Sequence, residues 1–213
     1  METNSFDSTH RWFDICHRNS VDLKAASQMC QLLIDAYSES HRYYHTLSHV
    51  IACLNLLDRV PLEQNERDLI EYAIWFHDVI YDVTSDSNEE ESAIFAEKWL
   101  REQGIPNASE ISQLINQTAD YAIDPPSGRI EGTLHDLDLH ILGTNTSEYQ
   151  TYVANIRAEY SYLDDKDFFR GRRIFLESTL NKRSIFATDA FQELFEKQAL
   201  NNINDELLSI ENI

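Results

Sequence analysis

The chain has 213 residues, 42% hydrophobic and 25% charged, a balance that fits one globular domain and excludes disorder as the default. Its 37 acidic residues against 17 Lys and Arg give a formal net charge of −20, which disfavours duplex nucleic acid and anionic membranes as partners. Five glycines and four prolines are too few for a turn-rich all-β protein.

Helical periodicity runs through the chain. The first predicted helix covers Val21 to Tyr37, with Leu23, Ala26, Met29, Cys30, Leu33, Ile34 and Tyr37 on one stripe. A second covers Tyr43 to Asp58 through Leu47, Val50, Ile51, Leu54 and Leu57, and Pro61 breaks it. A third covers Asn65 to Phe76. Ser87 with Glu90 reads as a capping box for a helix carrying Ile94, Phe95, Trp99 and Leu100, and Gly104 with Pro106 stops it. Asn107 with Glu110 opens the next, and residues 122–130 read as a loop. A shorter helix is predicted from Glu131 to near Gly143. Asn145 with Glu148 caps a helix bearing Tyr149, Tyr152, Val153, Ile156 and Tyr160, and further helices follow near 166–182 and 188–210. Period-2 alternation is absent, so the expectation is a single all-α domain.

Cys16, Cys30 and Cys53 are odd in number and form no CxxC pair, so no disulfide framework is expected and a reducing cytoplasm fits. The N-terminal METNSFDSTHRWFD lacks an apolar core, so no secretory signal is expected. No apolar run reaches the roughly 20 residues of a membrane span.

The chemistry concentrates in a few places. In YYHTLSHV, His45 and His49 stand four apart, a spacing that places both on one face of a helix. In WFHDVIYD, His77 and Asp78 follow directly on an apolar helix, where each is costly without a partner. In LHDLDLHILG, Asp136 and Asp138 interrupt an otherwise apolar helix. Imidazole and carboxylate together suit a borderline divalent ion, and the lack of a Cys pattern argues against a structural zinc site.

The order His49, His77–Asp78, Asp138 resembles the HD superfamily of metal-dependent phosphohydrolases. YHTLSHV is also similar to the YHNxxH segment of cyclic-nucleotide phosphodiesterases. Ala73–Asp82, Asn88–Glu89 with Ser92–Ala93, Asp136–Gly143 and Arg157–Tyr160 resemble blocks shared by a bacterial group of predicted HD phosphohydrolases of similar length. The resemblance implies an HD-type helical bundle over 1–213, with extra C-terminal helices. It implies His49, His77, Asp78 and Asp138 as metal ligands, with Asp138 favoured over Asp136, and His45 as proton donor to the leaving group; by its residue type alone His45 reads equally as a support for the metal ligands.

Further expectations are weaker in their signal. Glu89 is a candidate for orienting water, or a helix N-terminal acid favoured by the dipole. Arg157 is a candidate phosphate clamp, or a surface ion-pair partner of Glu159. Lys166, Arg170 and Arg173 share a helix face that reads as solvated, with an anion funnel as the alternative. The expected cofactor is a divalent metal ion (Mn, Fe, Co, Ni, Zn or Mg). The expected partner is a small phosphorylated substrate such as a nucleotide, with a homodimer through the aromatic-rich C-terminal helices. Two other readings compete: a non-enzymatic nucleotide-sensing module, and a di-iron HD oxygenase drawing further ligands from His41, His45, His135 and His140.

Overall fold

The computed structural model describes residues 5–119 and 124–211. Among them every regular element is helical and no strand occurs. None of these helices is long and apolar enough to cross a membrane. The chain's contacts fall into two compact units, Met1–Ala119 and Asp120–Ile213.

The N-terminal unit runs α1 (Ser5–Arg18), α2 (Leu23–Ala36), α3 (Leu47–Leu57), α4 (Gln64–Phe76), α5 (Asn88–Glu102) and α6 (Ala108–Asn116), closing on a 3-10 turn, Gln117–Ala119. Its central element is α4. Every residue from Leu69 to Phe76 is buried, and a helix that is buried all round must be packed on all sides. Glu71 is the charged exception, and it is held by Arg11 at 3.0 Å and Arg18 at 3.5 Å.

The helix α1 was not anticipated from the sequence. Its signal is a short stripe, Trp12, Ile15 and Cys16, diluted by polar neighbours. Trp12 is fully buried, with Tyr72, Trp75, Phe76 and Trp99 ringing it at centroid distances of 5.4 to 6.2 Å. Its indole N–H donates to the Ala26 carbonyl at 2.9 Å, so the polar edge is satisfied in the core.

Local signals set most boundaries. Asp22 caps α2 by accepting from the Lys24 and Ala25 N–H groups. After α5 the Ile105 N–H reaches Leu100 O at 2.9 Å and the Gly104 N–H reaches Arg101 O at 3.0 Å, with Gly104 at φ +76°. This is a Schellman close, and it needs the left-handed region at Gly104. Nothing lies within 4 Å of where a Cβ would sit there. Gly104→Ala should therefore cost only the backbone term, about 1–2 kcal/mol, measured by urea denaturation.

Two expectations need correction. The helix predicted from Tyr43 starts at Leu47, with extended Thr46 as its N-cap, so His45 lies in a bend outside it. Ser87 does precede α5, but its hydroxyl donates to Glu91 at 2.9 Å and caps no N–H, so the capping box with Glu90 does not form. The predicted loop at 122–130 falls partly outside the described residues; 124–128 are not helical.

The C-terminal unit runs α7 (Arg129–Leu139), a 3-10 turn (His140–Gly143), α8 (Thr146–Glu159), α9 (Asp165–Leu180), α10 (Asp189–Phe191), a π-helical stretch (Gln192–Glu196) and α11 (Lys197–Ile210). Asn145 caps α8 as expected, accepting from the Ser147 and Glu148 N–H groups. A buried network ties three of these helices. Arg172 on α9 donates to both carboxylate oxygens of Glu206 on α11, at 2.8 and 3.1 Å, and to the Tyr152 hydroxyl on α8 at 2.9 Å. The bidentate geometry offsets the cost of desolvating the pair.

Candidate metal centre

The end of α4 builds the core of the site. His77 is its C-cap, and its ring is almost completely enclosed, at 2% exposure for the residue. His77 Nδ1 lies 2.9 Å from the Ile74 carbonyl. A carbonyl only accepts, so Nδ1 carries a proton, and the neutral form of the ring has its lone pair on Nε2. That Nε2 lies 3.2 Å from His49 Nε2 and 3.0 Å from Asp78 Oδ2. His49 stands in the first turn of α3 and is buried. Cys53, one turn on, brings its Sγ to 3.8 Å from His49 Nδ1.

Two imidazole nitrogens and a carboxylate oxygen thus converge where both histidines are buried and Asp78 is half-buried. Such a set is stable with a proton or a metal cation among the lone pairs and repulsive without one. The donors are the types that borderline divalent ions take. His49 and His77 of the N-terminal unit thus offer two imidazoles that could hold a metal ion.

His45 packs at the rim. Its ring centroid is 4.5 Å from Tyr81, 5.0 Å from Tyr44 and 6.2 Å from His49, and the residue is half-buried. The bend brings it beside His49 although the two do not share a helix.

The two aspartates of α7 have different environments. Asp136 is fully buried, and both its oxygens are occupied. Oδ1 accepts from the Ala187 N–H at 2.6 Å, and Oδ2 from the Thr188 N–H at 2.8 Å and the Thr188 hydroxyl at 2.6 Å. Burial pushes its carboxyl up to about 6, against those three donors, which favour the ionised form. The same loop is held by Glu196, which accepts from the Ile185 and Phe186 N–H groups, and by His135 Nε2 at 3.0 Å from Ile185 O. Asp136 is therefore a loop fastener. Asp138, two residues on, is half-buried.

The remaining candidates lie as follows. Glu89 is half-buried in the first turn of α5. Arg157 fastens the link from α8 to α9: it donates to Tyr160 O, Leu163 O and Asp165, and its guanidinium lies 4.8 Å over the Phe168 ring. Asp165 is an ion-pair partner, at 2.8 Å. Arg170 pairs with Asp167, and Arg173 with Glu177 and Glu211. Of the other histidines, His41 Nε2 lies 2.8 Å from Tyr81 O and His140 Nδ1 lies 2.6 Å from Leu137 O. Cys16, Cys30 and Cys53 are all buried and in no disulfide, and burial pushes the Cys16 thiol up to about 12, which keeps it protonated at neutral pH.

A residue that sequence reasoning passed over is Arg42, which donates to the carbonyls of His45, Asp78 and Val79. The available signal was an Arg inside the aromatic run HRYYH, directly before the histidine motif.

A cavity of about 360 Å³ opens elsewhere in the N-terminal unit, lined by Arg11, Arg18, Arg67, Asp58 and Glu71 among others. Its charges pair with one another: Arg11 with Asp58 and Glu71, Arg67 with Asp58, and Arg18 with Glu71. Burial raises the Glu71 carboxyl above its ordinary range, opposed by Arg11 and Arg18. A raised folded-state value means that the stability Glu71 contributes is full below the ordinary carboxylate range and is lost as pH rises through the folded value. The difference in melting temperature between the parent and Glu71→Gln should accordingly move against the parent as pH rises from 4 to 7, read from paired melts.

Compared with protein-family models, curated proteins and solved structures, the chain matches none.

Proposed function

We propose that the protein is a metal-dependent phosphohydrolase that cleaves a phosphate ester of a small molecule, with nucleotides as the first class to test. The observation that carries this reading is the convergence of His49 Nε2 and Asp78 Oδ2 on His77 Nε2, with both histidines buried. The order of His and Asp motifs along the chain supports it. On this reading His49, His77 and Asp78 hold the ion, and the order of the motifs along the chain makes Asp138 the candidate for the last ligand. Asp136 does not compete for that role, because its oxygens are taken by the 187–188 backbone and the Thr188 hydroxyl.

A divalent ion there would supply positive charge to a phosphoryl oxygen and lower the pKa of water toward neutrality. The chain's own residues do the rest. The Ile74 carbonyl fixes the His77 tautomer and so aims Nε2. His45, half-buried against Tyr44 and Tyr81, donates the proton that the leaving oxygen needs; an imidazole titrates near the working pH and suits that task. Glu89 is the candidate for orienting the attacking water. Arg157 has no part in this reading, since its fork is occupied by Asp165 and two carbonyls.

The test is metal content of protein purified without chelator, followed by hydrolysis of a generic phosphomonoester, a phosphodiester and a nucleotide panel with added Mn, Co or Ni. The expected result is bound transition metal and turnover that a chelator abolishes. Absence of both would refute the reading.

A further inference from the structure

We propose that Arg42 is the positioning residue of the metal centre: its guanidinium ties the segment carrying His45 to the turn carrying Asp78, and so sets the spacing of His49 and His77. The inference rests on the metal-centre reading above.

The Arg42 side chain is completely buried. Its Nη1 donates to Asp78 O at 2.6 Å and to His45 O at 3.3 Å, and its Nη2 donates to Val79 O at 3.1 Å. Its Nε is held by Glu39 at 3.0 Å. The rings of Tyr37 and Tyr81 lie 5.3 and 5.2 Å from the guanidinium carbon. Tyr37 in turn donates its hydroxyl to Trp75 O on the last turn of α4, at 3.1 Å, and Tyr81 packs against His45.

The two ends of this clamp are the pieces that matter. One is the bend just before the N-cap of α3, which begins two residues before His49. The other is the turn after α4, which carries Asp78 itself. Carbonyls in a buried turn need donors, and a single planar fork serves three of them in fixed directions. A lysine ammonium is a point donor and cannot hold the same three directions together. Burying a charge for this purpose is expensive, so directional hold on these segments accounts for an arginine where an apolar side chain would pack.

Cobalt(II) is the probe, titrated into the purified full-length parent, Arg42→Lys and a control, Arg67→Lys, with circular dichroism and a melt recorded for each. Arg67 fastens two carbonyls in the same way, Leu57 O and Val60 O, both at 2.9 Å, in the link between α3 and α4. Arg42→Lys should fold, bind cobalt about tenfold to a hundredfold more weakly, and give an altered visible band. Arg67→Lys should bind as the parent does. Equal cobalt affinity and band in Arg42→Lys and the parent would overturn the proposal, as would an equal loss in Arg67→Lys, which would signify general loosening. If Arg42→Lys fails to fold, Tyr81→Leu, which removes one flanking ring, takes its place with the same expected direction and the same refuting result. A parent that binds no cobalt would overturn the metal-centre reading itself, and this inference with it; binding by the parent with no effect of Arg42 sinks the inference alone.

Discussion

The His77→Ala protein should fold, retain no divalent metal and show no metal-dependent hydrolysis. His77 Nε2 is the atom that both His49 and Asp78 face, so its removal takes out the centre of the donor set. The loss of turnover should be about a thousandfold or more, since several kcal/mol of charge stabilisation go with the ion. The stability cost should be smaller. The Ile74 carbonyl loses the ring N–H, which costs about 1–3 kcal/mol for a buried group left without its partner. Elemental analysis, a phosphomonoester assay and a thermal melt on the same preparation check all three. Parent-level turnover in a metal-free His77→Ala protein would remove the metal from the mechanism.

The paired aspartates should separate fold from function. Asp136→Ala strips acceptors from the Ala187 N–H, the Thr188 N–H and the Thr188 hydroxyl at once. Each buried donor left alone costs about 1–3 kcal/mol, so the sum is about 3–5 kcal/mol even with partial relaxation. That is a large share of the about 5–15 kcal/mol that holds a typical domain folded. Asp138→Ala should leave the urea midpoint near the parent's value and lose metal. Urea denaturation and metal content, measured on both variants, decide it. A destabilised Asp138→Ala beside a metal-free but stable Asp136→Ala would reverse the assignment of the two residues.

Much of the fold is legible residue by residue. Trp99 and Leu100 on α5, stopped at Gly104, and the Asn145 cap of α8 are local patterns whose meaning lies within one or two turns. The helix α1 escapes this kind of reading. Its apolar stripe is three residues wide, and Trp12 becomes a core residue only because α4 and α5 bring Tyr72, Trp75, Phe76 and Trp99 around it. The start of α3 escapes it too. Periodicity extends the helix back to Tyr43, but Arg42 holds the His45 carbonyl from outside the helix, and Thr46 takes the extended conformation of a cap.

The site divides along the same line. The sequence by itself determined the helical class, the order of most helices, and the presence of imidazole and carboxylate donors at the end of an apolar helix. Those features depend on composition and on spacings of three or four residues. Only the tertiary structure decided that Asp136 fastens a loop, that Arg157 serves the α8–α9 link, and that Arg42 joins the carbonyls of His45, Asp78 and Val79. Asp136 and Asp138 sit two apart on one helix and look alike locally. What distinguishes them is a backbone about fifty residues downstream, and a hydrogen bond across that separation leaves no periodic trace in the chain.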